Sequence, residues 1–86
     1  MKILYLPKFS REYKRLSEAV KAKAEQQEKI FRGNPFDKRL KTHKLQGELS
    51  GFWAFSIDFQ NRIVFDFVDE NTVRFYRVGS HDVYDV

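Results

Sequence analysis

From Phe52 to Gly79, three strand-like segments follow one another with very short connections. "FWAFSID" (Phe52–Asp58) runs into "FQN", "RIVFDFV" (Arg62–Val68) runs into "DEN", and "TVRFYRVG" (Thr72–Gly79) closes the series. Connections that short can join only antiparallel neighbours, so the three segments form a meander. "RIVFDFV" sets Ile63, Phe65 and Phe67 against Arg62, Val64 and Asp66, which gives the meander one strongly apolar face. Such a face needs cover, and the cover has to come from the residues that precede it.

Those residues read as a strand followed by helix. "KILYL" (Lys2–Leu6) is a short first strand, and Pro7 ends it. Between Lys8 and Arg32 there is neither Gly nor Pro, and Phe9, Tyr13, Leu16 and Val20 recur at the spacing of one helix face. Ala24 and Phe31 extend that face, with the polar "EQQEK" between them. One long helix and two shorter ones broken near Ser17 both fit the pattern. "RGNP" ends the helical part: Gly33 is suited to a left-handed cap, and Pro35 cannot continue a helix. "FDKRLKTHKLQGELSG" (Phe36–Gly51) is a basic connector anchored by Leu40, Leu45 and Leu49. The expected fold is α+β: an N-terminal strand and one or two helices packed on one face of a small, mainly antiparallel sheet. Residues 1–86 are expected to form a single domain, because a chain this short buries only one modest core. Nine Phe, four Tyr and one Trp can fill that core with few residues.

The net charge of +4 hides an asymmetry. Residues 1–45 hold 13 Lys/Arg against 5 Asp/Glu, whereas residues 46–86 hold 3 against 7. A cationic half on a small domain suits a polyanionic partner, nucleic acid above all, although a solvated lysine-rich helix face gives the same count. The absence of cysteine excludes disulfides and thiolate chemistry and fits a reducing cytoplasm. No apolar run approaches the roughly 20 residues that span a bilayer, so a soluble protein with no membrane partner is expected.

There is no glycine-rich phosphate loop, no His/Asp/Glu cluster at metal-ligand spacing and no serine in a nucleophile elbow, so neither a metal nor a cofactor is expected. What remains is His43, His81, several arginines on or beside strands, and Tyr84. Two histidines and cations suffice to cleave RNA without a metal. One base takes the ribose 2′-OH proton, the oxygen attacks the adjacent phosphate, an acid protonates the leaving 5′-oxygen, and cations stabilise the transition state. Each residue also has a plainer reading. His43 can be a turn residue, His81 a local hydrogen-bonding group, Arg62 the partner of Asp58 or Asp66, and Arg77 a solvated strand arginine. Tyr84 can rest its ring on the sheet.

"HKLQGELSGFW" (His43–Trp53) is similar to the H-x-L-x-G-x-W/L-x-G-[YF] segment of YafQ-type toxins, and "RVGSHDVY" (Arg77–Tyr84) to their R-x-G-[TS]-H ending. "LSGFW" followed by "RIVF" also looks like the YoeB branch. Over nearly its whole length the chain resembles the RelE/ParE superfamily of bacterial toxins. The resemblance implies a small sheet with N-terminal helices on one face, and a ribosome-dependent endonuclease that cuts mRNA in the ribosomal A site by 2′-OH attack. It also implies a cognate antitoxin, whose complex with the toxin represses their operon by binding operator DNA through the antitoxin.

Carried over to this sequence, the resemblance makes His43 general base or substrate-positioning group, Arg62 a contact to the scissile phosphate, and Arg77 a phosphate ligand. His81 becomes the general acid and Tyr84 the base-stacking aromatic. Lys38, Arg39, Lys41 and Lys44 are expected to bind RNA phosphates. The chain departs from the pattern in places: "FWAFSID" has no lysine, Ser56 stands where YafQ-like chains carry a further histidine, and Asp37 is the acid nearest to the YoeB glutamate. Two alternatives on the same fold are a ParE-like gyrase inhibitor and a catalytically degenerate RNA- or protein-binding domain.

Overall fold

A computed structural model describes residues 1–84, apart from the side chain of His81. The strand Lys2–Tyr5 (β1) leads through Pro7 into the helix Pro7–Lys14 (α1). Proline suits the first turn, where its missing N–H costs nothing. A second helix, Glu18–Gly33 (α2), begins where the Ser17 side chain accepts the Val20 N–H at 3.2 Å. The helical part is therefore two helices, with Ser17 as the start signal of the second.

Gly33 is the last residue of α2 but does not take the expected left-handed cap; the glycines with positive φ are Gly47, Gly51 and Gly79. Asn34 ends the helix by being extended (φ −160°, ψ 108°), the conformation favoured for a residue ahead of a proline.

A short 3-10 turn, Lys38–Leu40, follows, and the left-handed Lys41 redirects the chain. His43–Lys44 (β2), expected as connector, is an edge strand paired with Trp53–Ser56 (β3). Gly47 (φ 67°) and Gly51 (φ 99°) bracket the tight return from β2 to β3, in conformations that side chains with a Cβ rarely adopt. The two glycines of the "HKLQGELSGFW" segment thus shape a loop. Arg62–Asp69 (β4) and Thr72–Gly79 (β5) complete the antiparallel meander.

The sheet order is β1-β5-β4-β3-β2, with β1 parallel to β5 and the other neighbours antiparallel. Both helices lie on the face that carries Phe55, Ile63, Phe65, Val73 and Phe75. Phe31 of α2 enters a nest of rings, with centroids 4.7 Å from Phe55, 4.9 Å from Phe65 and 5.5 Å from Phe75. Phe9 of α1 meets Phe75 at 5.3 Å. A bulge in β5 sets both Tyr76 and Arg77 against Val64. The alternation that began with Val73 and Phe75 therefore resumes at Val78, which faces Ile63 in the core.

Candidate functional site

The face turned away from the helices carries three of the sequence candidates. Pairing runs His43–Ala54–Val64–Arg77 straight across β2, β3, β4 and β5, and paired residues share a face. Arg62 sits one row along, between Ser56 and Gly79. The short turn His81–Tyr84 folds back against β4 and β5, with Val83 fully buried. Gly79 makes this close approach possible: a Cβ there would stand 3.3 Å from the Val83 side chain. The side chain of His81 lies outside the described residues.

Arg62, Ser80 and Tyr84 line a cleft of about 430 Å³, joined by Phe59 and Gln60 from the β3–β4 turn. The arginine is anchored by carbonyls and makes no ion pair with a carboxylate among the described residues. Its Nη1 donates to the carbonyls of Asp58 (2.7 Å), Phe59 (3.2 Å) and Asn61 (3.1 Å). Neither carboxylate considered as its partner takes it. Asp66 binds Arg74 and accepts from the Tyr76 hydroxyl. Asp58 accepts the backbone N–H groups of Gln60 and Asn61 and the Asn61 amide. Burial alone would raise the Asp58 carboxyl, but those N–H donors outweigh it and hold it below its ordinary value. Among the described residues, Arg62 Nε and Nη2 have no hydrogen-bond partner, so one edge of the guanidinium is left to bind an anion.

Arg77 is placed differently from a solvated strand arginine. It is 6% exposed; its Nε lies 3.0 Å from both carboxylate oxygens of Glu12, and its Nη2 lies 2.7 Å from Oε2. Nη1 reaches the Asp82 carbonyl at 3.2 Å, tying the C-terminal turn to the sheet. Glu12, on α1, carried no sequence signal of this role beyond a position on the flank of the helix.

His43 is exposed at the sheet edge, with Nδ1 3.0 Å from the Lys41 carbonyl. A carbonyl only accepts, so the neutral ring donates from Nδ1 and presents Nε2 as an acceptor. With neighbouring strands about 4.8 Å apart, His43 and Arg77 are separated by roughly 14 Å of backbone, and His43 lies apart from the cleft of Arg62 and Tyr84.

The basic residues divide. Arg39 and Lys41 line a groove of about 570 Å³ with Lys23, Gln27, Ser56, Phe59 and Arg62, so this groove meets the Arg62–Tyr84 cleft at Phe59 and Arg62. Gln27 fixes the groove wall, donating to the carbonyls of Ser56 (2.9 Å) and Arg39 (3.3 Å). Arg39 is chelated by Asp37, whose carboxyl the guanidinium holds down to about 2. Lys38 is exposed and does not line the groove. Lys44 points to the helix side, its Nζ 5.6 Å from the Trp53 ring centre, and stands apart from the cleft. Among the described residues, no three His, Asp or Glu side chains gather where they could hold a metal ion.

No protein-family model matches the sequence, and no curated protein does. Solved structures do match. A YoeB/ParE toxin from Agrobacterium tumefaciens superposes with a TM-score of 0.80 at 19% identity, over 94% of this chain and 99% of that one. YafQ from Escherichia coli gives 0.79 at 21% identity, over 96% of both chains. The chain has the RelE/YoeB/YafQ-like toxin fold. A third structure with this fold, a YoeB–YefM complex from Staphylococcus aureus, gives 0.76 at 22% identity, over 94% of this chain and 97% of that one. Identities this low speak for the fold; what the present site does rests on its own residues.

Proposed function

We propose that the protein is the toxin of a type II toxin–antitoxin pair and an endoribonuclease that cuts mRNA in the ribosomal A site. The observation that carries this reading is Arg62: a strand arginine anchored by three carbonyls, with no carboxylate in ion-pair contact among the described residues, in one cleft with Tyr84 and beside a basic groove. An anchored guanidinium edge is suited to a phosphate whose charge grows in the transition state.

In this reading the ribose 2′-OH gives its proton to solvent water as its oxygen attacks phosphorus, the bond to the 5′-oxygen breaks, and His81 protonates that oxygen. Arg62 stabilises the phosphate, and Tyr84 stacks on a base. Arg77, held by Glu12, positions the turn that carries His81 and Tyr84. His43 stands at the sheet edge and holds the RNA strand, as do Lys38, Arg39 and Lys41. No step requires a metal. Among the described residues no helix is long and apolar enough to cross a membrane, and in this reading a partner in the ribosome sets the action in the cytoplasm.

The partner that silences the site is a cognate antitoxin, in keeping with the YoeB–YefM and DinJ–YafQ complexes among the structural matches. Through that antitoxin the pair would also engage operator DNA.

The test is a reconstituted translation reaction in which cuts are mapped by primer extension. Wild type is expected to cut within the A-site codon, and Arg62→Ala and His81→Ala to lose most of that cutting. Intact mRNA together with loss of supercoiling by purified gyrase would overturn the reading in favour of a ParE-like inhibitor. Intact mRNA with unimpaired gyrase would favour a degenerate binding domain.

A further inference from the structure

Phe59 is 93% exposed, in a chain whose Phe9, Phe31, Phe55, Phe65 and Phe75 are buried. Leaving a ring of that size in water forgoes the stabilisation that the buried rings gain. The turn that presents it is locked. Asp58 Oδ1 accepts the N–H groups of Gln60 and Asn61 at 2.9 and 2.8 Å, Ile57 N–H donates to the Asn61 carbonyl at 2.9 Å, and Arg62 gathers the carbonyls of Asp58, Phe59 and Asn61. A ring on a fixed turn loses little backbone freedom when something stacks on it.

Its surroundings specify what stacks. Phe59 lines both the Arg62–Tyr84 cleft and the groove that holds Lys23, Arg39 and Lys41. The two carboxylates nearby are occupied, Asp37 by Arg39 and Asp58 by its own turn. An aromatic platform between a cationic groove and a second aromatic matches a single strand, whose phosphates follow the cations while its bases find ring faces. A protein partner would be expected to bury a wider apolar surface around such an anchor; here Ile57 is already buried, only Ile30 adds aliphatic surface, and the other neighbours include Gln60, Arg62 and Lys41.

We infer that Phe59 stacks on an unpaired RNA base next to the one held at Tyr84, so that the two rings grip consecutive bases on either side of Arg62. This rests on the RNA-cleaving reading of the same site and adds a positioning residue to it.

The test uses the full chain and a short single-stranded RNA carrying 2-aminopurine, whose fluorescence falls on stacking. Wild type is expected to bind and quench. Phe59→Ala and Phe59→Leu are expected to weaken binding about 5- to 150-fold and to lose the quench, whereas Phe59→Trp retains both. All three should melt close to wild type, because the exposed ring lies outside the core. Wild-type binding that Phe59→Ala and Phe59→Leu leave unchanged overturns this inference alone. Failure of wild type to bind RNA overturns the RNA reading together with it. Unchanged RNA binding with loss of capture by a protein partner would assign Phe59 to a protein interface instead.

Discussion

Glu12 and Arg77 hold each other across the edge of β5, just where β1 ends. β1 pairs with β5 as far as Phe75, and beyond it the Glu12 carboxylate from α1 takes the place of a neighbouring strand. Its Oε1 accepts the Val78 N–H at 3.2 Å while both oxygens engage the Arg77 guanidinium. One side chain thereby satisfies a strand edge, neutralises a buried cation and, through Arg77 and the Asp82 carbonyl, steadies the C-terminal turn.

Removing the carboxylate should be costly. Glu12→Ala takes the bidentate carboxylate from a guanidinium with 8% side-chain exposure, leaving Asp82 at 4.0 Å, and leaves the Val78 N–H without its acceptor, for an expected loss of about 3 kcal/mol. Urea denaturation measures it. The double variant Glu12→Gln/Arg77→Met, which buries no charge, should recover much of that loss.

The same pair sets an acid limit. Burial by itself would raise the Glu12 carboxyl, but the Arg77 hydrogen bonds, the Val78 N–H and the nearby positive charges outweigh it, and the group titrates below its ordinary 4.5. A carboxyl depressed in the folded state contributes its full stability above the unfolded value and loses it as pH falls towards the folded one. Stability should therefore fall below about pH 4.5 in wild type, and less steeply in Glu12→Gln, as read from melting temperature against pH.

Phe31 is the centre of the core. It is fully buried among Phe55, Phe65 and Phe75, one ring from each of three adjacent strands. Phe31→Ala should cost about 3–5 kcal/mol, and Phe31→Leu less, in the same denaturation experiment.

RNA binding should carry the signature of the basic strip. Lys38→Ala combined with Lys41→Ala removes two candidate phosphate contacts. It should lower the slope of log affinity against log salt by up to about 1.4, without changing which bases are preferred. Lys44→Ala, whose ammonium rests on Trp53 on the other face, should leave the slope unchanged.

His43 separates the two roles open to it. A group that holds RNA at the sheet edge predicts that His43→Ala raises KM for cutting several-fold and leaves kcat nearly intact. Loss of kcat at saturating substrate, with a lost acidic limb in the pH profile, would make it the general base.

Much of the fold was legible. Three short-linked alternating segments determined the meander, and the apolar spacing of Phe9, Tyr13, Leu16 and Val20 determined the helical cover, because burial periodicity is a local property. The candidate residues of the outer face were also legible, through resemblance to toxin segments. What the sequence alone left undecided depends on contacts between distant residues. The parallel pairing of β1 with β5 joins residues some 70 positions apart, and no local pattern records it. The bulge at Tyr76 shifted the alternation by one, so that Val78 rather than Arg77 faces Ile63; a strict period of two would have aimed the arginine at the core. Glu12 became the partner of Arg77 only because β1 is too short to cover the whole of β5. Phe59 looked like any residue of a turn until the turn was seen locked between two clefts. Composition and periodicity determined which faces are buried; tertiary pairing decided which charges meet an opposite charge, and so which guanidinium keeps an open edge.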